Sequence, residues 1–365
     1  MNGRIAVLMT VDAVGGVWSY ALGLCASLPQ LRFVLATLGP APRQAQRAAL
    51  AGLGNVTLAE SNFRLEWMTR GQADIAASRR WLDALADRHV VDLVHVNGYA
   101  QAMLDGPRPV VVVAHSDVLS WWMAVYGEAA PAEWDEYRRQ VACGLAAADR
   151  VVVPTGAVRD DLRRQYGLSP RKAPHIPNGL DFSTFPPQPK RPLVMATGRI
   201  WDAAKNLRLL DDIAPRVTWP IEIAGEVAHP EHGAASLRHA RPLGVLAPTE
   251  LRNRLEQAAI FAAPALYEPF GLGILEAAAT GCALVLGDIP SLRENWDGAA
   301  VFLLPADRDS WQAALGRLIG DRRERERLGA AARARAERFA LASTARSYLT
   351  LYQELIGASA ERRVA

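Results

Sequence analysis

Residues 174–197 read PHIPNGLDFSTFPPQPKRPLVMAT, and they divide the chain. The first part, 174–192, holds six prolines and an Asn-Gly pair. Proline has no amide hydrogen to donate and Asn-Gly favours a turn, so this part reads as a linker. The apolar run 193–197 follows at once, with the unbroken character of a parallel strand covered on both faces. Outward from it, further strand candidates lie at 5–10, 33–37, 93–97, 110–114 and 150–153 on one side. On the other side they occur at 221–224, 260–263 and 283–286. Helical spacing fills the gaps, as in Val17, Tyr20, Ala21, Leu24 and Leu28, or in 72–86 and 132–147. Alternating strands and helices imply parallel sheets with right-handed crossovers. The expectation is an α/β chain of two doubly wound Rossmann-like domains, 1–178 and 179–340, with ligands at the carboxyl ends of the strands. The last helix, beginning near 341, carries Tyr348, Leu351, Tyr352 and Leu355 on one side and needs a surface to pack on.

A chain of 365 residues that is 50% hydrophobic can fill two cores. Its formal charge is +3, and residues 1–175 hold 18 Arg and Lys against 16 Asp and Glu. That balance argues against nucleic acid as a partner. The Arg-rich stretch 317–338 has acidic residues interspersed and reads as a solvated helix face. Cys25, Cys143 and Cys282 lack CxxC spacing, which points to reduced, buried thiols. The start shows no signal peptide, and no apolar run approaches the roughly 20 residues that span a bilayer. The expected place is the cytoplasm, with membrane contact at most peripheral at the inner face, since no amphipathic basic helix stands out.

Two motifs carry chemistry. The first, YEPFGLGILE at 267–276, follows a strand and opens a helix. Gly271 and Gly273 let backbone approach a ligand, and the amides of Phe270, Gly271, Leu272 and Gly273 point from a helix N-terminus that favours a diphosphate. Glu276 lies one turn in among apolar neighbours, where a carboxylate is costly unless hydrogen-bonded, and a ribose diol would supply the bonds. Glu268 would reach a sugar beyond the phosphates. The acidic pair would also serve simply to complement the helix dipole. The second motif is GRIWDAAKN at 198–206. Arg199 and Lys205 flank a helix start, where cations oppose the dipole unless an anion lies between them. They would otherwise be surface cations, with Asn206 a helix cap.

These segments resemble the donor-binding motifs of family-4 glycosyltransferases with the GT-B fold, and Glu268 to Glu276 matches that family's E-x7-E element. The resemblance extends to ADRVVVPTGAVRDDL (148–162), HIPNGLDFSTF (175–185) and ERLGAAARARAERF (326–339). It implies an active site in the interdomain cleft, with an N-terminal acceptor domain and a C-terminal donor domain. Arg199 and Lys205 would hold the diphosphate, with backbone amides from Gly271 and Leu272. Glu276 would bind the ribose and Glu268 the donor sugar. It further implies retention of configuration, independence of a metal and a last helix, 341–365, that returns to the N-terminal domain. No cofactor is expected, the nucleotide sugar being a substrate.

In the first half, Gly15-Gly16 sits between a strand and a helix and is either a tight turn or an approach to the leaving phosphate or the acceptor. The resemblance favours the latter. His115 ends the 110–114 run; alone it reads as a structural histidine, but the resemblance makes it a contact to the donor sugar's hydroxyls. The family often has His-Asp here, whereas this chain has His115-Ser116-Asp117, which leaves the role of Asp117 open. Trp121 and Trp122, and less so Trp18, could stack on an acceptor or fill the core. Asp307-Arg308-Asp309 looks like a DxD metal motif but sits where a helix cap belongs. His229, Glu231, His232 and His239 lack the rigid spacing of a zinc site. The expected function is transfer of a sugar from a nucleotide diphosphate donor, UDP or GDP, to an unidentified hydroxyl acceptor. A nucleotide-sugar epimerase of the same fold, or a binding protein without turnover, is the alternative.

Overall fold

The structure is a computed structural model and describes residues 4–13, 15–68, 71–185, 188–229 and 233–364. Contacts divide the chain into two compact units. One comprises Met1–Met123, Glu128–Gly179 and Leu341–Ala365, the other Ala124–Gly127 and Leu180–Ala340.

The first unit holds β1 (Ala6–Asp12), β2 (Arg32–Leu38), β3 (Val56–Ala59), β4 (Leu93–Val96), β5 (Val110–Val113) and β6 (Arg150–Val152). They form one sheet in the order β3-β2-β1-β4-β5-β6, every neighbouring pair parallel. The second unit holds β7 (Arg191–Thr197), β8 (Ile221–Ala224), β9 (Arg241–Gly244), β10 (Ala258–Ala263), β11 (Ala283–Gly287) and β12 (Ala300–Leu303). Its order, β12-β11-β10-β7-β8-β9, is again parallel throughout. Numbered from its own first strand, each sheet reads 3-2-1-4-5-6, the doubly wound order.

Each sheet has an apolar cluster on either face. Leu8, Val34, Val94 and Val112 belong to one and Met9, Phe33, Leu93 and Val111 to the other in the first unit. The second unit divides Phe261, Leu284 and Trp296 from Ile260, Val285 and Trp311 in the same way. The Leu341–Val364 helix lies in the first unit, where Tyr348, Leu351, Tyr352 and Leu355 join the cluster containing Met9 and Phe33.

Three strands escape the sequence reading: β3, β9 and β12, all at sheet edges and none with a fully buried residue. The 317–338 stretch is two helices, Arg308–Gly320 and Arg322–Ala336, broken at Asp321, which caps the second by accepting from the Glu324 amide at 2.9 Å. Arg317–Glu324 and Arg322–Glu326 ion pairs run along its surface. The expectation of buried thiols needs one correction: Cys25 and Cys282 are buried, but Cys143 lies on an exposed face of the Asp135–Ala147 helix. No helix among the described residues is long and apolar enough to cross a membrane.

Leu355 is 5% exposed in the cluster that seats the last helix. Leu355→Ala should lower the unfolding free energy by about 2–5 kcal/mol in urea titration. An unchanged midpoint would mean that the helix packs by other contacts.

Candidate functional site

In the second sheet, β7 and β10 are neighbours whose chains continue in opposite directions along the sheet, to β8 and to β11. Such a switch point leaves a crevice at the carboxyl ends of the two strands. The Gly198–Asn206 loop leaves β7 there, and the residues from Pro264 to Gly271 leave β10. Main-chain and side-chain bonds join the two loops. The carbonyl of Ala204 accepts from the Leu266 amide at 2.8 Å, and Asn206 Nδ2 donates to the carbonyls of Pro264 and Pro305 at 3.0 and 2.8 Å. Asn206 does begin the Leu207–Ile213 helix, but its side chain makes no capping bond. Instead of the alternative capping role, it ties three loops together from a left-handed backbone, φ 52°, that a short amide side chain tolerates.

The Leu272–Ala279 helix opens on Gly271, whose φ of +89° is a glycine conformation, and no side chain caps it. Gly273 is required for another reason. A Cβ there would lie 2.3 Å from Thr197 Oγ1 at the end of β7, so the helix seats directly on the neighbouring strand. Ser291 Oγ donates to the Glu268 carbonyl at 2.6 Å, and Asn295 Nδ2 donates to that of Phe270 at 3.4 Å. The first-turn N–H groups, which a helix leaves without internal acceptors, therefore issue from a fixed point at the switch crevice.

Lys205 Nζ donates to Glu268 Oε2 at 2.7 Å, the two side chains 19% and 18% exposed. The structure thus brings together a phosphate candidate and a sugar candidate as an ion pair. Arg199 pairs with Asp202 at 2.6 Å and lies over the Trp201 ring, 5.0 Å from its centroid. Asp202 is nearly inaccessible and also accepts from the Ala204 amide. Each cation thus has a carboxylate partner, Arg199 within its own loop and Lys205 across to the loop after β10. Glu276 differs. Its carboxylate has no hydrogen bond from any described residue, and desolvation pushes the carboxyl up to about 7, opposed in part by the charge of Arg252.

In the first unit, Gly15, with φ 90° and ψ −149°, is the uncapped start of the Gly16–Ser27 helix. His115 lies just beyond β5, its Nε2 2.9 Å from Asn97 Oδ1 and its ring edge-on to Tyr20 at 4.7 Å. Burial holds its pKa down to about 4, so the ring is neutral at physiological pH. Asp117 resolves as a structural residue: it accepts from the Ser120 amide at the start of the Val118–Tyr126 helix and from the Tyr166 hydroxyl, each at 2.9 Å. Trp121 and Trp122 lie half-buried on that helix, Trp122 against the apolar cluster. Trp18, 5% exposed, packs in the apolar cluster that contains Met9 and Phe33.

Asp307 caps the Arg308–Gly320 helix through the Ser310 amide at 3.1 Å, and Arg308 pairs with Asp212. Of the suspected metal cluster, Glu231 and His232 lie outside the described residues. His229 packs edge-on to Trp201, and the His239 amide donates to Asp211. Sequence reasoning missed Thr197, Ser291, Asn295, Asp202, His95 and Asn97. Only Asp202, inside a motif already singled out, carried a local signal.

Two parallel sheets of this order, with a helix mouth and two cations at one switch point, define a GT-B protein. Residues 14–184 match the family described as Glycosyltransferase Family 4, and residues 191–321 match Glycosyl transferases group 1. The D-inositol 3-phosphate glycosyltransferase of Kineococcus radiotolerans is 28% identical over 344 residues, spanning 80% of this chain and 73% of that protein. Sucrose-phosphate synthase from Thermosynechococcus elongatus superposes with a TM-score of 0.79 at 18% identity, over 97% of this chain and 100% of that one. Anabaena HepE, in complex with UDP and glucose, gives 0.74 at 15% identity over 96% and 100%. The chain belongs to the family-4-type glycosyltransferases.

Gly273→Ala should lower stability by about 1–3 kcal/mol through overpacking. The double variant with Thr197→Ala should recover most of it; calorimetry showing no recovery would place the clash elsewhere. Glu276 gives a pH signature. Its folded pKa, about 7, is raised from the ordinary 4.5, so its contribution to stability is full below 4.5 and lost as pH rises through 7. Ligand-free Glu276→Gln should therefore melt above the native chain at pH 8, by about 2–4 °C per kcal/mol relieved, and not at pH 4. Equal melting at pH 8 would show that the carboxylate is not destabilised there.

Proposed function

We propose that this glycosyltransferase moves a hexose from a nucleotide diphosphate sugar, with UDP as the nucleotide, to a hydroxyl acceptor with retention of configuration and without a metal. The observation that carries the reading is Glu276, a half-buried and poorly solvated carboxylate that no described side chain or amide bonds, one turn behind an uncapped helix mouth. A ribose diol on the carboxylate and a diphosphate on the amides fit that spacing. Arg199 and Lys205 hold the diphosphate, and Glu268 and His115 contact the donor sugar. Gly15 and Gly16 approach the leaving phosphate, and Trp121 or Trp122 meets the acceptor. In the reaction the bond from the anomeric carbon to the diphosphate breaks. The acceptor oxygen bonds to that carbon from the same face, and a departing phosphate oxygen takes its proton. No protein nucleophile takes part; the cations and the helix stabilise charge on the leaving group. HepE, named with UDP and glucose, and relatives named for phosphorylated products or acceptors support the substrate class. We assign the work to glycan or glycoconjugate biosynthesis in the cytoplasm, with at most peripheral membrane contact.

A thermal-shift screen of nucleotide sugars identifies the donor, since specific binding raises apparent stability. That donor with a pool of acceptors should then yield a new glycoside. Isomerisation of the donor alone would mean an epimerase, and binding without turnover a carrier. Charge-assisted bonds are each worth roughly 1.5–3 kcal/mol, so Arg199→Ala should slow kcat/KM by roughly 10- to 150-fold. Unchanged transfer kinetics would contradict its role.

A further inference from the structure

Behind His115 lies a chain of polar side chains that the reaction as described does not use. Asn97 follows β4, and its orientation is fixed twice by β1: its backbone amide donates to Thr10 Oγ1 at 2.8 Å, and its Nδ2 donates to the Thr10 carbonyl at 2.6 Å. A flipped amide would set two carbonyl oxygens against each other, so Oδ1 must point away from Thr10. That oxygen lies 2.9 Å from His115 Nε2 and 3.1 Å from His95 Nε2. An amide oxygen only accepts, so both imidazoles carry their proton on Nε2. The far end agrees. His95 Nδ1, left with a lone pair, is 2.6 Å from the Tyr352 hydroxyl, which donates to it. His115 Nδ1 is left with a lone pair as well, and no described residue hydrogen-bonds to it.

We propose that Asn97 is a positioning residue that locks His115 in the Nε2–H tautomer, so that Nδ1 faces the substrate only as a hydrogen-bond acceptor and selects a donor-sugar hydroxyl that gives its proton into the bond. This rests on the reading of His115 as a donor-sugar contact. The tautomer is set from behind, by groups that never touch substrate, with His95 and Tyr352 holding the second branch of the Asn97 oxygen. The groups around the pair are Tyr20 from the Gly16–Ser27 helix and Tyr348 and Tyr352 from the last helix. Asp12 closes the adjoining strand β1. Burial keeps both imidazoles neutral, His95 at about 3 and His115 at about 4, so the lock operates across the physiological range.

The test is nitrogen-15 NMR of the full chain labelled at histidine, with the His115 signals assigned by their loss in His115→Gln. Native protein should show Nε2 protonated and Nδ1 bare from pH 6 to 8, and Asn97→Leu should show a mixture of tautomers. With the donor identified, Asn97→Leu should lose roughly tenfold in kcat/KM, as expected for about 1.4 kcal/mol. Asn97→Asp puts a carboxylate against both N–H groups and favours the imidazolium. It should give the pH–rate profile an acid limb below about 6.5 that the native enzyme lacks. It also serves if the leucine variant fails to fold. A native Nδ1–H signal, or an Asn97→Asp profile as flat as the native one, overturns the proposal. The NMR result stands whether or not sugar transfer is found, so a wrong tautomer and a wrong activity are separable failures.

Discussion

Parallel pairing is the constraint from which the rest follows. When every strand of a sheet runs the same way, all the carboxyl ends lie on one edge, and each chain must leave that edge through a loop before a helix carries it back. In the second unit this puts the loops after β7 and β10 side by side. In the first it does the same for the loops after β1 and β4, which hold Gly15 and Asn97. Residues 60 or more apart in sequence meet because their strands are neighbours, as Lys205 and Glu268 do.

Within that frame the electrostatics are uneven. The two cations of the second unit rest against carboxylates, so the ligand-free site carries little uncompensated positive charge. A diphosphate would exchange those carboxylates for its own oxygens rather than fill a vacant charge. Glu276 is the reverse case, an acid held in poor solvation beside a helix entrance. Evolution rarely tolerates such a group for stability alone, and functional sites are where it persists.

The interior of each sheet was legible because a strand covered on both faces has to be apolar without interruption, as 5–10 and 283–286 are. The edges were not. RPLG at β9 and AVFL at β12 are partly exposed and too short for a periodic signal. The site motifs were legible through glycine spacing and misplaced charge, both local properties. The bonds that orient them were hidden. Asn206 looks like a cap until Pro264 and Pro305 come beside it, and no pattern in one sequence relates His95 to Tyr352, 257 positions away. Asp117 went unread for the same reason, since its partner Tyr166 belongs to another helix.

The most direct measurement is a crystal structure of the chain with a bound nucleotide sugar. The account predicts the diphosphate on the amides that open the Leu272–Ala279 helix, with Arg199 and Lys205 turned from Asp202 and Glu268 onto its oxygens and the ribose hydroxyls on Glu276. Phosphates bound away from that helix, with both ion pairs intact and Glu276 still alone, would contradict it.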